Sequence, residues 1–283
     1  MRRVLCLGVL SALSASLVAC GREPPGQRAL DATEQRLSKV RSGVLTMSLL
    51  ASPAGAPEGR GVGFELEGPF AVAEEKGRLP VADLAYTRVT GDQRRTTRFV
   101  STGTRAFVQL GGRTYELEPG QVADLRATGE DEAGKGGLDG LRLDEWIDDP
   151  RLGVGPGAGA GATDLITGTL DPVAALNDVL SLAAGFGVSE EDAPRQLEGE
   201  SAERVRRAVR SSSVELLTGR SDRLLRRLRM QIDLGVEDQA ALREALGRLA
   251  GVRLGMELRV DQPNRRVRVE APPGARPISE LDR

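Results

Sequence analysis

Histidine is absent from the 283 residues of this chain, and aromatic residues make up only 3% of them. Without histidine the chain cannot assemble a Ser-His-Asp or Cys-His catalytic arrangement, and it lacks the commonest metal ligand of proteins. Its only lysines are Lys39, Lys76 and Lys135, and no Ser-x-x-Lys spacing of serine-lysine enzymes occurs. The composition therefore predicts a protein that is not an enzyme and holds no cofactor.

Two segments nominally match catalytic or cofactor patterns. A carboxylate group surrounds Trp146 and is the best candidate for a metal site or a carboxylate-dependent hydrolase; its members are Asp144, Glu145, Asp148 and Asp149. These acids lack EF-hand spacing and lie in a polar stretch, which favours solvated side chains and no metal. Residues 157–162, "GAGAGA", fit G-x-G-x-x-A, but they precede a predicted strand instead of joining a strand to a helix, so we interpret them as a loop.

The charge balance of the chain argues against nucleic acid as a binding partner. The full chain has a net charge of −2, and 40% hydrophobic with 28% charged residues is the balance of a globular domain. A nucleic-acid binder would carry a basic excess, so we expect no nucleic-acid partner. The arginine-rich runs at 204–210 and 223–229 are typical of solvated faces, with contact to anionic headgroups as the alternative.

The N-terminus has the features of an export signal. Arg2 and Arg3 precede an apolar run, residues 4–18, that is short for a membrane span. The run ends in "LVAC", residues 17–20, which resembles the lipobox of bacterial lipoproteins. An ordinary signal peptide with an incidental cysteine is the alternative.

The lipobox predicts that Cys20 is lipidated and becomes the first residue of the mature chain. Two acyl chains such as palmitate would contribute roughly 20 kcal/mol of membrane affinity. The other cysteine, Cys6, leaves with the signal, so no intramolecular disulfide can form. We therefore predict a signal peptide (1–19), a lipidated N-terminus and linker (20–27) and one domain (28–283), anchored at the extracytoplasmic face of the cell membrane.

Apolar and polar residues alternate through most of the domain, which predicts strands with one buried face. The predicted strands are 43–51, 61–68, 81–89, 94–102, 105–110, 113–118, 164–171, 213–219, 228–234, 252–260 and 265–272, the last two as a hairpin. Helical periodicity occurs at 29–40, 121–127, 171–187 and 237–249. Tight turns between successive strands predict an antiparallel α+β sheet with one apolar face that helices must cover.

Several segments, in this order, resemble the LppX/LprG family of actinobacterial lipoproteins over residues 30–281. Behind the lipobox they are "VGFELEGPF", "LAYTRVTG", "TRFVSTGTRAFVQLGGRTYEL", "WIDDPR", "TDLITGTLDPVAALNDV", "VELLTGRSDRLLRRLRMQIDL" and "RVRVEAPPGARPISEL". The resemblance implies a curved antiparallel sheet, a half-barrel similar to LolA and LolB, with helices on its concave face. It also implies an apolar cavity for acyl chains of envelope lipids or glycolipids, used in lipid transport or envelope biogenesis.

Alternation along the strands nominates the side chains that would line such a cavity. They are Met47, Phe64, Leu66, Leu84, Tyr86, Met230, Ile232, Met256 and Leu258. Methionine suits variable ligands because its side chain is flexible, but the same positions would serve as core filling. The alternative function is therefore a cell-surface interaction lipoprotein that has a closed core and binds another envelope protein.

Overall fold

The structure describes twelve strands, and ten of them, all except β7 and β12, fall on the alternating segments of the sequence. The computed structural model describes residues 23–56, 61–73, 75, 77–131, 138–185, 196–235 and 251–281. The strands are β1 (Ser42–Pro53), β2 (Gly61–Ala71), β3 (Val81–Gly91), β4 (Gln93–Thr102), β5 (Ala106–Leu110), β6 (Arg113–Glu116), β7 (Ile147–Val154), β8 (Thr163–Leu170), β9 (Val209–Gly219), β10 (Leu225–Gly235), β11 (Gly251–Asp261) and β12 (Arg276–Pro277).

All twelve strands belong to one open sheet. Their order is β12-β6-β5-β4-β3-β2-β1-β11-β10-β9-β8-β7, and every pair is antiparallel except the short β12-β6 pair. Two meanders, β1–β6 and β7–β11, meet where β1 pairs with β11 from Val44–Asp261 to Pro53–Val252. The predicted α+β class, a curved sheet with helices, is confirmed, with more strands than the sequence indicates.

The described helices are α1 (Pro25–Glu34), α2 (Pro119–Asp131), α3 (Leu143–Trp146), α4 (Pro172–Gly185) and α5 (Gly199–Ala208). The Asp171 carboxylate caps α4 by accepting the Val173 and Ala174 N–H groups at 2.8 and 3.0 Å. Helix α1 begins at Pro25, inside the segment predicted to be linker.

The helices cover the face that carries the alternating apolar residues, which we call the inner face. Helices α1 and α3 contact β7, α1 also contacts β8, and α5 contacts β10. Leu30, Trp146 and Val179 from α1, α3 and α4 join Met47 and other strand residues in one buried cluster. A second, smaller cluster places Val122 of α2 against the β4–β5 part of the sheet. The main core therefore lies between the sheet and helices α1, α3 and α4.

Two predicted elements are wrong. The segment 265–272 forms no strand, because both edges of β11 are already hydrogen-bonded, to β1 and to β10, and no edge is free for a hairpin. After β11 the chain instead runs to the far edge of the sheet, where β12 pairs with β6. No strand is predicted between residues 118 and 164, but β7 lies there; a register shift between Asp148 and Arg151 interrupts its alternation. The helix predicted at 237–249 lies outside the described residues.

Candidate lipid-binding face

The strand register aligns the apolar side chains of the inner face into rows that run across the sheet. Residues directly opposite in antiparallel strands share a face, so pairing identifies row neighbours. The first row is Ile166, Leu216, Leu228, Leu258, Met47, Leu66 and Tyr86; the second is Val214, Met230, Met256, Leu49 and Phe64. The second row crosses five strands, about 19 Å at the usual strand spacing.

The structure brings all nine predicted cavity residues into the main cluster. Seven are buried, each at most 6% exposed: Met47, Phe64, Leu66, Met230, Ile232, Met256 and Leu258. The other two, Leu84 and Tyr86, are half-buried against the same cluster. The alternation therefore predicted their face correctly, and their role toward a ligand remains a prediction.

The inner face is less completely covered on β1–β3. Four half-buried side chains border the cluster there, and we call them the apolar flank: Leu49, Phe70, Leu84 and Tyr86. The Tyr86 ring stacks on the buried Phe64 ring with 5.8 Å between centroids. Gly68 lies opposite Leu45 in this part of the sheet, and the backbone of β3 fills the space beside it, since a Cβ there would lie 2.0 Å from the Asp83 carbonyl oxygen. The flank thus offers apolar surface that is only partly covered.

Sequence reasoning missed two members of the flank. Leu49 continues the alternation of Leu45 and Met47, and Phe70 continues that of Phe64 and Leu66. The alternation therefore already indicated that both side chains lie on the buried face. Only the register shows that both lie at the border of the buried cluster.

Two pockets lie away from the apolar flank. One of about 420 Å³ is bounded by Arg105, Leu117, Val122, Arg126 and Pro277, where α2 begins beside β6 and β12. The other, about 210 Å³, lies around Gly255 on the outer face and reaches Met230 and Met256. Neither pocket contains a member of the flank.

The acidic group around Trp146 is dispersed. Asp144, Glu145, Asp148 and Asp149 are exposed, and Glu145 pairs with Arg142 at 2.7 Å. Among the described residues no three or more Cys, Asp or Glu side chains are placed to hold a metal ion. Residues 159–161 form a short 3-10 turn that leads into β8, which is a loop geometry and not a strand-to-helix phosphate loop.

The signal segment and Cys20 lie outside the described residues. None of the helices in the described part of the chain has the length and hydrophobicity needed to span a bilayer. Anchoring at Cys20 therefore remains a prediction from the lipobox.

No protein-family model and no curated protein sequence matches this chain. Its fold is similar to solved structures of LppX-like and LolA-like proteins. LprF from Mycobacterium bovis aligns with a TM-score of 0.44 and 13% identity, covering 88% of this chain and 97% of LprF. The lipoprotein LppX from Mycobacterium tuberculosis aligns with a TM-score of 0.40 and 13% identity, covering 86% of this chain and 99% of LppX.

A LolA superfamily protein from Nitrosomonas europaea aligns more distantly, with a TM-score of 0.19 and 8% identity over 84% of this chain and 95% of that protein. LppX belongs by name to the family that the sequence resembles. At these identities and TM-scores none of the three likenesses carries a function over to this chain.

Proposed function

We propose that this chain is a membrane-anchored lipoprotein that binds the acyl chains of envelope lipids or glycolipids on the inner face of its sheet. One observation carries the proposal: the apolar inner face is buried in the middle of the sheet but is only half-buried on β1–β3, at the apolar flank. Lipid transport or envelope biogenesis is the role that we expect for such binding.

Binding on the flank needs no covalent chemistry. Each CH₂ group that leaves water contributes about 0.8 kcal/mol, so even a partly covered acyl chain gains several kcal/mol. The stacked Tyr86 and Phe64 rings supply a flat apolar wall. The polar headgroup would stay at the edge of the sheet, where it remains hydrated.

A test by copurification uses the chain from residue 20 onward with Cys20→Ser, which contains every described residue and no acyl anchor. The protein is purified from its host, extracted with organic solvent and analysed by mass spectrometry. We expect bound lipid near one molecule per chain. A preparation free of lipid that also takes up no pyrene-labelled phosphatidylcholine would overturn the proposal.

Two adjacent leucines on β1 give a matched pair of variants. Leu49 belongs to the flank, whereas Leu50 points to the outer face and borders the pocket around Gly255. An unpaired amide in the acyl path costs about 1–3 kcal/mol, so Leu49→Gln should weaken phosphatidylcholine uptake about tenfold or more. Leu50→Gln should leave uptake unchanged. Equal effects of the two variants on uptake would argue against the inner face.

The burial of seven of the nine predicted cavity residues favours a second candidate, a closed-core lipoprotein that binds another envelope protein. For this function a pull-down from the envelope would recover a protein partner, and the purified chain would carry no lipid.

A further inference from the structure

The arginines on the two faces of strands β2–β6 differ in whether they pair with carboxylates. On the outer face each arginine meets a carboxylate, and the guanidinium of Arg105 also stacks over Phe107 at 4.9 Å. The outer pairs are Arg94 with Glu65, Arg98 with Asp83 at 2.5 Å and Arg105 with Glu116 at 2.6 Å. These charges are neutralised within the sheet.

The inner face of the same strands carries three arginines that have no carboxylate partner among the described residues. We call them the basic margin: Arg88, Arg95 and Arg113. Arg88 lies directly opposite Arg95 and, on its other side, opposite Phe64; Arg113 lies opposite Leu110. All three are exposed, and none forms an ion pair with a carboxylate of the described residues. By register, no inner-face position of β2–β6 holds an acid.

The basic margin therefore continues the apolar rows. The second row runs Met256, Leu49, Phe64 and then changes to Arg88 and Arg95. Like charges directly opposite each other destabilise a strand pair, and a bound anion would remove that cost. Two guanidinium groups on facing residues, whose Cα atoms are about 5 Å apart, can both donate to one phosphate.

We infer that the basic margin binds the anionic phosphate headgroup of the lipid whose acyl chains lie on the apolar flank. The inference rests on the proposed function and adds a substrate class to it: phospholipids or phosphoglycolipids with a net negative headgroup. The occupant is a lipid and not a free anion because the position next to Arg88 is the Phe64 ring, beside which lie only apolar members of the row.

The test compares two lipids with the same acyl chains, pyrene-labelled phosphatidylglycerol and phosphatidylcholine, on the chain from residue 20 with Cys20→Ser. We expect the anionic lipid to bind about tenfold more tightly. The double variant Arg88→Gln with Arg95→Gln should abolish that preference, because it weakens phosphatidylglycerol more than phosphatidylcholine, whose phosphate charge is already balanced by choline; uptake of phosphatidylcholine through its acyl chains should persist.

The matched control, Arg94→Gln with Arg98→Gln, removes the same charge from the outer face of β4 and should keep the preference. A preference that survives the inner-face variant, or that disappears equally in both variants, overturns the inference while phosphatidylcholine uptake still supports the proposed function. Uptake of neither lipid overturns both.

Glycerol phosphate, which has the headgroup and no acyl chains, distinguishes the two sources of the anion. We expect calorimetry to detect no binding of glycerol phosphate at concentrations at which phosphatidylglycerol saturates the protein. Binding of glycerol phosphate as tight as that of the lipid would assign the basic margin to a soluble anion and overturn the inference.

Discussion

At the scale of single residues, a buried carboxylate joins two of the helices that cover the sheet. Asp178 of α4 is 5% exposed. Its carboxylate accepts the Trp146 indole N–H at 2.9 Å and the Arg142 backbone N–H at 2.8 Å, and Arg142 Nη2 lies 2.6 Å from its other oxygen. One side chain thereby joins α4 to α3 and to the residue before it. Such a group stabilises the fold only while every partner is present.

Replacing that carboxylate tests its contribution. Asp178→Asn turns one acceptor into a donor that faces other donors, and we expect the free energy of unfolding to fall by about 2–3 kcal/mol. Glu145→Gln, which removes the exposed partner of the same arginine, should change it by less than about 1 kcal/mol. Fluorescence of Trp146, the single tryptophan, reports unfolding in denaturant. A loss as large in Glu145→Gln as in Asp178→Asn would be inconsistent with this account.

A second buried carboxylate predicts acid sensitivity. Burial raises the pKa of Asp164, but hydrogen bonds from Arg220 and Arg223 outweigh it and hold the pKa below its ordinary value of 3.8. A carboxylate whose pKa is lowered by folding stabilises the protein above its ordinary pKa, and that contribution is lost as the pH falls through the folded value.

Asp164→Asn should therefore be less stable than the unmodified chain at neutral pH and lose less stability than it between pH 7 and about pH 3. Denaturant unfolding at several pH values measures both effects. The stability of Asp164→Asn should still fall to some extent between pH 7 and about pH 3, because folding also lowers the pKa values of Asp222 and Asp233. Parallel pH profiles for the two proteins would exclude a role for Asp164.

At the scale of elements, the sequence predicted most strands because one face of each is buried. Strict alternation from Leu228 to Leu234 identified β10, and the same pattern identified β1–β6. The register was beyond sequence reasoning, because the pairing of β1 with β11 joins residues about 200 positions apart. For the same reason the sequence named members of the apolar rows but could not show that Phe64 faces Arg88 or that Arg88 faces Arg95.

The turn after β11 explains how alternation misled the prediction of a final hairpin. Asn264 adopts a left-handed φ of 63°, its side chain accepts the Arg41 N–H at 2.8 Å, and its own N–H donates to Ser42. These contacts tie the chain to the start of β1 and send residues 265–275 away from β11. Val267 and Val269 keep the alternation of a strand without a strand partner.

Two substitutions separate the contributions of that turn. Asn264→Gly loses the side-chain hydrogen bond but adopts the left-handed conformation without strain, whereas Asn264→Ala loses the bond and adds backbone strain of about 1 kcal/mol. We expect both variants to be less stable than the unmodified chain, and Ala to be the less stable of the two in denaturant unfolding. The reverse order would show that the conformation at residue 264 is not what directs the chain.

At the scale of the whole molecule, the predicted anchor decides where the binding face acts. The flank and the basic margin lie on the same half of the sheet, β1–β6, so a tether that keeps the protein at the bilayer would hold both within reach of lipid. This consequence depends on Cys20, which is a prediction from the lipobox.

The two cysteines of the chain provide a matched test of the anchor. Cys20→Ser should move the protein from the membrane fraction to the aqueous phase of a detergent partition in a bacterial host that lipidates such proteins. Cys6→Ser should leave it in the membrane fraction, because Cys6 lies in the predicted signal. A Cys20→Ser chain that still carries acyl groups would contradict lipidation at Cys20, and a membrane-bound one without acyl groups would contradict the acyl groups being the anchor.

The pairing of β1 with β11 has a further consequence for the timing of folding. These strands form the central seam of the sheet, although one follows the first described helix and the other begins at Gly251. If the predicted signal exports the chain from its N-terminus, the edge of β1 that pairs with β11 would stay without its partner until β11 has crossed the membrane. In that case we expect the incomplete sheet to be exposed to incorrect strand pairing during most of translocation, and the central pair to form only near its end.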